Sequence, residues 1–447
     1  MTRPLREDAR AILRAAVAAA DARAAVVRAL DLDGHRLTVA AAEEVDLTSI
    51  DRVLLIGAGK AAAGMAAGAL DVLGERIAAG TVTTKDRHGA DLPRIDVWEA
   101  AHPVPDTRGM AGAAEALRMA RQAGPRDLVL CLLSGGASAL WPAPVRGVSL
   151  SDLQAVTDAL LRSGASIHEI NAVRKHLSRI GGGGLARAAA PARVVTLAVC
   201  DVVGGAMDVI ASGPTAPDRT TYADALEVLR SCDIRPPPAV LAHLWAGDAG
   251  PRPETPKPGD AAFHRASVHV VAQNRDALAG AAREAERRGY RARIVADDLE
   301  GEASTVGEQV AQLAMEAVAE DADAPLALLL GGETTVTVRG DGQGGRNQEL
   351  ALALAIGLEG VEGVLAAAMG TDGTDGPTNA AGAFADGGTA ARGPAAGLDA
   401  RHALRRHHAH PFLRAAGDLI VTGPTGTNVN DLVLVLVDPR ARVDTAS

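Results

Sequence analysis

Aromatic side chains are nearly absent: Phe, Trp and Tyr together make up 2% of the 447 residues, although 47% are hydrophobic. A core must then be built from Ala, Val, Leu and Ile, which suits helices packed on a parallel sheet. Cysteine is scarce too. Cys131, Cys200 and Cys232 show no CxxC spacing, which excludes a disulfide framework or a zinc site and points to a reducing cytoplasm. There is no excess of positive charge; the net −10 argues against nucleic acid and anionic membrane as partners, so an anionic substrate needs a local basic pocket. Nothing approaches the roughly 18 apolar residues of a membrane helix. The first thirty residues carry acids and arginines throughout and read as an amphipathic helix, not a signal peptide. Finally, only four of the 45 basic side chains are lysines: Lys60, Lys85, Lys175 and Lys257. An ammonium and a guanidinium are not interchangeable at a phosphate, so Lys60 and Lys175, beside glycine-rich elements, stand out as functional candidates.

The length favours two domains. Apolar runs at 52–56, 81–84, 128–133 and 194–199 alternate with Ala-rich helical stretches and predict an α/β fold with a Rossmann-like parallel sheet over 1–240. The proline-rich segment 235–259 is read as the boundary, because proline cannot continue a regular element. A second α/β domain is expected over 265–447, opening with a β-α-β unit at 268–296 and continuing with strands at 326–330, 335–338, 364–369 and 432–437.

Strand ends carry the candidate chemistry, since ligands of parallel sheets bind beyond the carboxyl ends. Gly57-Ala-Gly59-Lys60 matches the GxGxxA dinucleotide fingerprint, but the next strand ends in Lys85 and not in the acid that would hold a ribose. A lysine in that turn better suits a phosphate or carboxylate. Ser134, Gly135, Gly136 and Ser138 supply hydroxyls and backbone amides, without the GxSxG of a serine hydrolase. Asn171, Arg174, Lys175 and Ser178 fall at i, i+3, i+4 and i+7 of a helix running into four glycines. Asp201 stands at a strand end as a candidate general base, and Ser212, Gly213 and Thr215 form a tight turn. Further on, Glu333 and Thr334 end an apolar run. The glycine-rich loop through Gly344 and Gly345 then opens a helix with Arg346, Asn347 and Glu349, an expected anion cradle. Asp372 and Asp375, in one glycine turn with Asn379, are either a magnesium pair or backbone caps. Asn428, Asn430 and Asp431 read as turn residues. His402, His407, His408 and His410 lack metal spacing and read as exposed.

Taken together, GAGKAA, LLSGGASAL, INAVRKHLSRIGGGG, DVVG…IASGPT, GGETTVTVRGDGQGGRNQE, GTDGTDGPTNAAGA and TGPTGTNVNDL resemble, in order and over roughly 10–437, the type 2 glycerate kinases with a C-terminal MOFRL domain. The resemblance implies two α/β domains with the active site in the cleft between them. It implies phosphorylation of D-glycerate by ATP with magnesium, giving 2-phosphoglycerate, with Lys60 and Arg346 as catalytic or anion-binding residues. Two departures are noted: Gly181 stands where the family often has lysine, and Gly205 and Ala206 where it tends to carry acids. Residue and family readings join in one mechanism: Lys60 with Gly57 and Gly59 on the phosphoryl group, Arg346 on a carboxylate or phosphoryl oxygen, Asp372 and Asp375 on magnesium, Asp201 on the acceptor hydroxyl. The alternatives are an NAD(P)-dependent hydroxypyruvate reductase, which would use the GxGxxA turn, and a non-catalytic binding protein. A homo-oligomer is left open.

Overall fold

A computed structural model describes residues 5–200, 209–319, 324–393 and 397–438. The chain divides into two compact units, one of residues 22–272 and one of 1–21 with 273–447.

In the 22–272 unit a three-stranded antiparallel meander comes first: β1 (Leu30–Asp33), β2 (Arg36–Val39) and β3 (Glu43–Asp46). The main sheet follows, with β4 (Arg52–Ala58), β5 (Ile77–Lys85), β6 (Ile95–Ala100), β7 (Asp127–Leu133), β8 (Arg193–Val199) and β9 (Ala266–Ala272). These six are all parallel and lie in the order β6-β5-β4-β7-β8-β9. β4, β7 and β8 are buried almost end to end, which is why they read as continuous apolar runs and not as alternation. The chain builds outward from β4 in one direction, returns, and builds outward from β7 in the other. β4 and β7 are therefore the neighbours at which the order reverses, with Ala58 paired to Leu133 at their carboxyl ends, and a crevice opens at such a reversal. Helices Leu150–Arg162, Ile167–His176, Tyr222–Ser231 and Pro238–Asp248 close a separate apolar cluster around Leu160, Val173, Leu229 and Leu244.

The other unit holds β10 (Arg291–Leu299), β11 (Leu326–Gly332), β12 (Val364–Gly370), β13 (Gly382–Asp386), β14 (Leu419–Ile420) and β15 (Asp431–Val437). Their order is β10-β11-β15-β12-β13-β14; only β10 and β11 are parallel. Helices Ala303–Ala319 and Arg346–Gly357 cover one face with Val310, Leu350 and Leu354, and Phe412 is one of the few aromatic side chains in that core.

Four expectations change. The proline-rich segment contains helix Pro238–Asp248, because proline at a first helical position gives up an amide that has no partner there. The run at 268–272 is not the first strand of a second sheet; as β9 it pairs with β8, so the β-α-β unit spans two sheets. No strand forms at 335–338; Thr335 makes one bridge to Glu302 and Val338 is exposed. The N-terminal helix Leu5–Ala19 belongs with the C-terminal unit: it packs on helix Asn274–Arg287, where Gly280 leaves room for Ala15 and Ala19, and Asp8 receives Arg288 and the Tyr290 hydroxyl.

These divisions predict different autonomy. A fragment of residues 22–272 is expected to fold alone with a cooperative thermal transition. A 273–447 fragment should give no cooperative transition until residues 1–21 are restored, as read by circular dichroism.

Candidate active site

At the reversal point two turns touch backbone to backbone. The Lys60 amide donates to Gly135 O at 2.9 Å, the Ser134 amide donates to Ala58 O at 3.1 Å, and Ser134 Oγ accepts from the Ala61 amide at 3.0 Å. Gly59 sits at φ +132°, and a Cβ there would run into Ser134 Oγ and its carbonyl. Gly57 is likewise closed in, 2.9 Å from Leu132 O at the place of its missing Cβ. Gly136 takes φ +84°, and a Cβ there would lie 3.0 Å from the His102 ring and 3.4 Å from Lys60 Cγ. Both glycine loops therefore position the half-buried Lys60, and Ser134 serves as a brace.

A small cavity of about 50 Å³ lies among Ser138, Trp141, Pro142, Arg174, Ser178 and Ser212. Its hydroxyls form a relay: Ser138 Oγ is 3.0 Å from Ser212 Oγ, which donates to Asn171 Oδ1 at 2.9 Å, while Asn171 Nδ2 donates to Val209 O. Ala211, Ser212 and Gly213 are three successive left-handed residues, a costly backbone for the first two. The amides of Gly182 and Gly183 donate to the carbonyls of Ser212 and Gly213 and hold it in place. Thr215 pairs with Thr196 at 2.8 Å. The Arg174 guanidinium has no hydrogen bond and no carboxylate partner among the described residues, and burial alone pushes its pKa below the ordinary arginine value. A desolvated cation facing three hydroxyls, with no acid of its own, is built for an anion.

The helical face read from the sequence is divided. The helix ends at His176, so Ser178 lies beyond it and the glycines form the next turn. Lys175 is buried and faces Asp218, whose carboxyl it helps to hold below the usual range against the cost of burial. Asp201 lies outside the described residues, just past the end of β8.

In the other unit Arg346 is already committed. It donates to both oxygens of Asp431, at 2.6 and 3.0 Å, and to Glu333. Burial disfavours the guanidinium charge, but Asp431 and Glu333 outweigh that and hold the proton more tightly than usual. Burial pushes the Asp431 carboxyl up to about 6 against the pull of Arg346. Asp431 opens β15 opposite Gly332 on one side and Gly370 on the other. The expected anion cradle at the start of helix Arg346–Gly357 is occupied by the protein itself: Asp375 accepts from the amides of Asn347 (3.1 Å) and Gln348 (2.9 Å) and from the Gln348 side chain (2.9 Å). Gly345 is needed because a Cβ there would strike Asp375, and Gly344 follows the same loop. Asp372 accepts from the amide and hydroxyl of Thr374, both at 2.9 Å. The expected magnesium pair is not free as placed, because each Asp375 oxygen already accepts two N–H donors. Glu349 pairs with His407 at 3.0 Å, and His410 meets Gln348 at 2.8 Å; these histidines brace the helix start and are not exposed. Asn379 is exposed. Thr334 Oγ1 and Asn347 Oδ1 are buried without a hydrogen-bond partner among the described residues.

Asp431 and Asp218 were not singled out from the sequence, the first because it resembled a turn residue. A lone acid directly before the apolar run 432–437 was the available signal. As a cap, Asp375 should matter to stability: Asp375→Ala is expected to cost about 2 kcal/mol, and Asp375→Asn less, read from urea midpoints.

Two family models match the chain, a domain of unknown function (DUF4147) over residues 8–245 and the MOFRL family over 326–431. A D-glycerate 2-kinase of Thermotoga maritima is 43% identical over 88% of this chain and 93% of its own. A relative from Agrobacterium vitis, 44% identical over 86% of this chain and 99% of its own, carries hydroxypyruvate reductase as a provisional name. The crystal structure of a Thermotoga maritima glycerate kinase superposes with a TM-score of 0.82 and 40% identity, over 97% of this chain and 99% of that one. With both domains matched in order and the fold shared along nearly the whole length, the chain belongs to the glycerate kinase family of enzymes that join a DUF4147 domain to a MOFRL domain.

Proposed function

We propose that the protein transfers the γ-phosphoryl group of ATP to D-glycerate, giving 2-phosphoglycerate and ADP. The observation that carries this reading is the pairing, in the 22–272 unit, of a lysine-bearing glycine turn at the sheet reversal with an acid-free arginine set among hydroxyls. The names of the relatives supply the substrate class. Phosphoryl transfer asks a protein for position and positive charge more than for covalent chemistry. The Lys60 ammonium supplies charge to the equatorial phosphoryl oxygens, on a turn that cannot recoil because it rests on Ser134 and Gly135. Arg174 takes the glycerate carboxylate, a role first assigned to Arg346, which Asp431 and Glu333 already saturate. Ser138, Ser212 and Asn171 orient the acceptor hydroxyl, and Asp201 receives its proton as the new O–P bond forms and the bond to ADP breaks. Magnesium enters with the nucleotide as part of the substrate. Arg346, in the other unit, acts through the charge it shares with Asp431.

A nicotinamide reaction is disfavoured locally. Asp86, the first acid after β5, is held through both oxygens by Arg108, at 2.6 and 3.0 Å, and is not available to a ribose.

With ATP, magnesium and D-glycerate, phosphorus NMR should show 2-phosphoglycerate; NADH oxidation by hydroxypyruvate without any ATP requirement would overturn the reading. Lys60→Ala should lower kcat about 10²–10³-fold with the fold intact, whereas Arg346→Ala should also cost stability because it strands the buried Asp431 carboxyl. Arg174→Ala should act mainly on KM for glycerate, raising it about 10–100-fold. An unchanged KM removes Arg174 from the carboxylate.

A further inference from the structure

A second basin in the 22–272 unit is not used by the reaction assigned above. It has a volume of about 320 Å³ and is lined by Arg121, Lys175, His176, Arg179 and Arg187, with no acid in its wall. Lys175 faces Asp218 at 3.4 Å, and the His176 ring meets the partly exposed Glu254 carboxylate at 3.0 Å while its other ring nitrogen meets Ala172 O. Among the described residues the three arginines have no carboxylate partner. Arg179 donates Nε to the Pro144 carbonyl and Arg187 donates to the Glu254 carbonyl, both uncharged acceptors, and Arg121 has no hydrogen bond from its side chain among the described residues. Elsewhere Arg52, Arg108, Arg193 and Arg288 are each paired with Asp or Glu. The three come from separate elements: the last turn of helix Thr107–Arg121, the loop after His176, and helix Gly184–Ala189. Their convergence is therefore a product of the fold and not of a basic run in the sequence. Arg179 also feels Arg121, since burial first and then the Arg121 charge draw its guanidinium below its ordinary pKa.

We propose that this basin binds a small multivalent anion, a phosphorylated or polycarboxylate metabolite, held by the Arg121, Arg179 and Arg187 guanidiniums. Guanidiniums pair with such groups through two parallel hydrogen bonds, and three excess charges call for a ligand of at least two negative charges. Ser178 borders both this basin and the smaller cavity of Arg174, and Lys175 of the basin is next to Arg174 on one helix. Occupancy is thus positioned to alter glycerate binding.

The test is calorimetric titration of the full-length protein with inorganic pyrophosphate and, separately, with citrate, alone and then with D-glycerate and a non-hydrolysable ATP analogue present. The expected result is saturable binding of at least one probe that survives both additions. Arg121→Ala/Arg187→Ala should weaken it about tenfold or more while leaving kcat without the probe unchanged. Pyrophosphate alone would mark a phosphate site, and citrate a carboxylate one. Non-saturable heat, binding abolished by glycerate and nucleotide, or equal affinity in the double variant overturns the proposal. Should the double variant unfold, Arg121→Gln and Arg187→Gln singly must each lower affinity. Because the first titration needs no nucleotide, failure of the kinase reading and failure of this one are separable.

Discussion

The Lys60 turn exists because two backbones meet without side chains between them. Gly59 and Ser134 approach so closely that no Cβ fits, and the amides of Lys60 and Ala61 spend their hydrogen bonds on the neighbouring turn. A lysine is a flexible point charge on a four-carbon stem. Fixing its root is the contribution the fold can make to its position, and this contact does so at the place where the sheet order reverses.

The other unit solves a different problem. Its helix start and its arginine are both neutralised internally, by Asp375 and by Asp431 with Glu333. Such a network rigidifies a loop, because removing one member strands a buried charge. The same glycines that make a loop open to an anion also let a carboxylate of the chain itself close on it, as Gly345 does for Asp375.

That ambiguity explains what the sequence could and could not tell. The four apolar runs of the first sheet were legible because strands buried on both faces leave a continuous signal. β6, with its half-exposed pattern, left none and was missed. The division of the chain was not legible, since nothing local says that helix 5–19 packs on helix 274–287 or that β9 joins β8. Among site residues, Lys60, Arg174 and Ser212 could be found from residue type and spacing. The partners that decide what Arg346, Asp375 and Lys175 do lie between 13 and 85 residues away, and a sequence carries no mark of which acid a cation will meet.

The position of β15 has a consequence for synthesis. Asp431–Val437 is made after both β11 and β12, yet it is wedged between them, supplying hydrogen bonds to both. Until it arrives, two apolar strands face each other across an empty slot, and helix 5–19 has no finished partner. The 22–272 fold can close during translation, whereas its companion must wait as an unjoined sheet until β15 has been made.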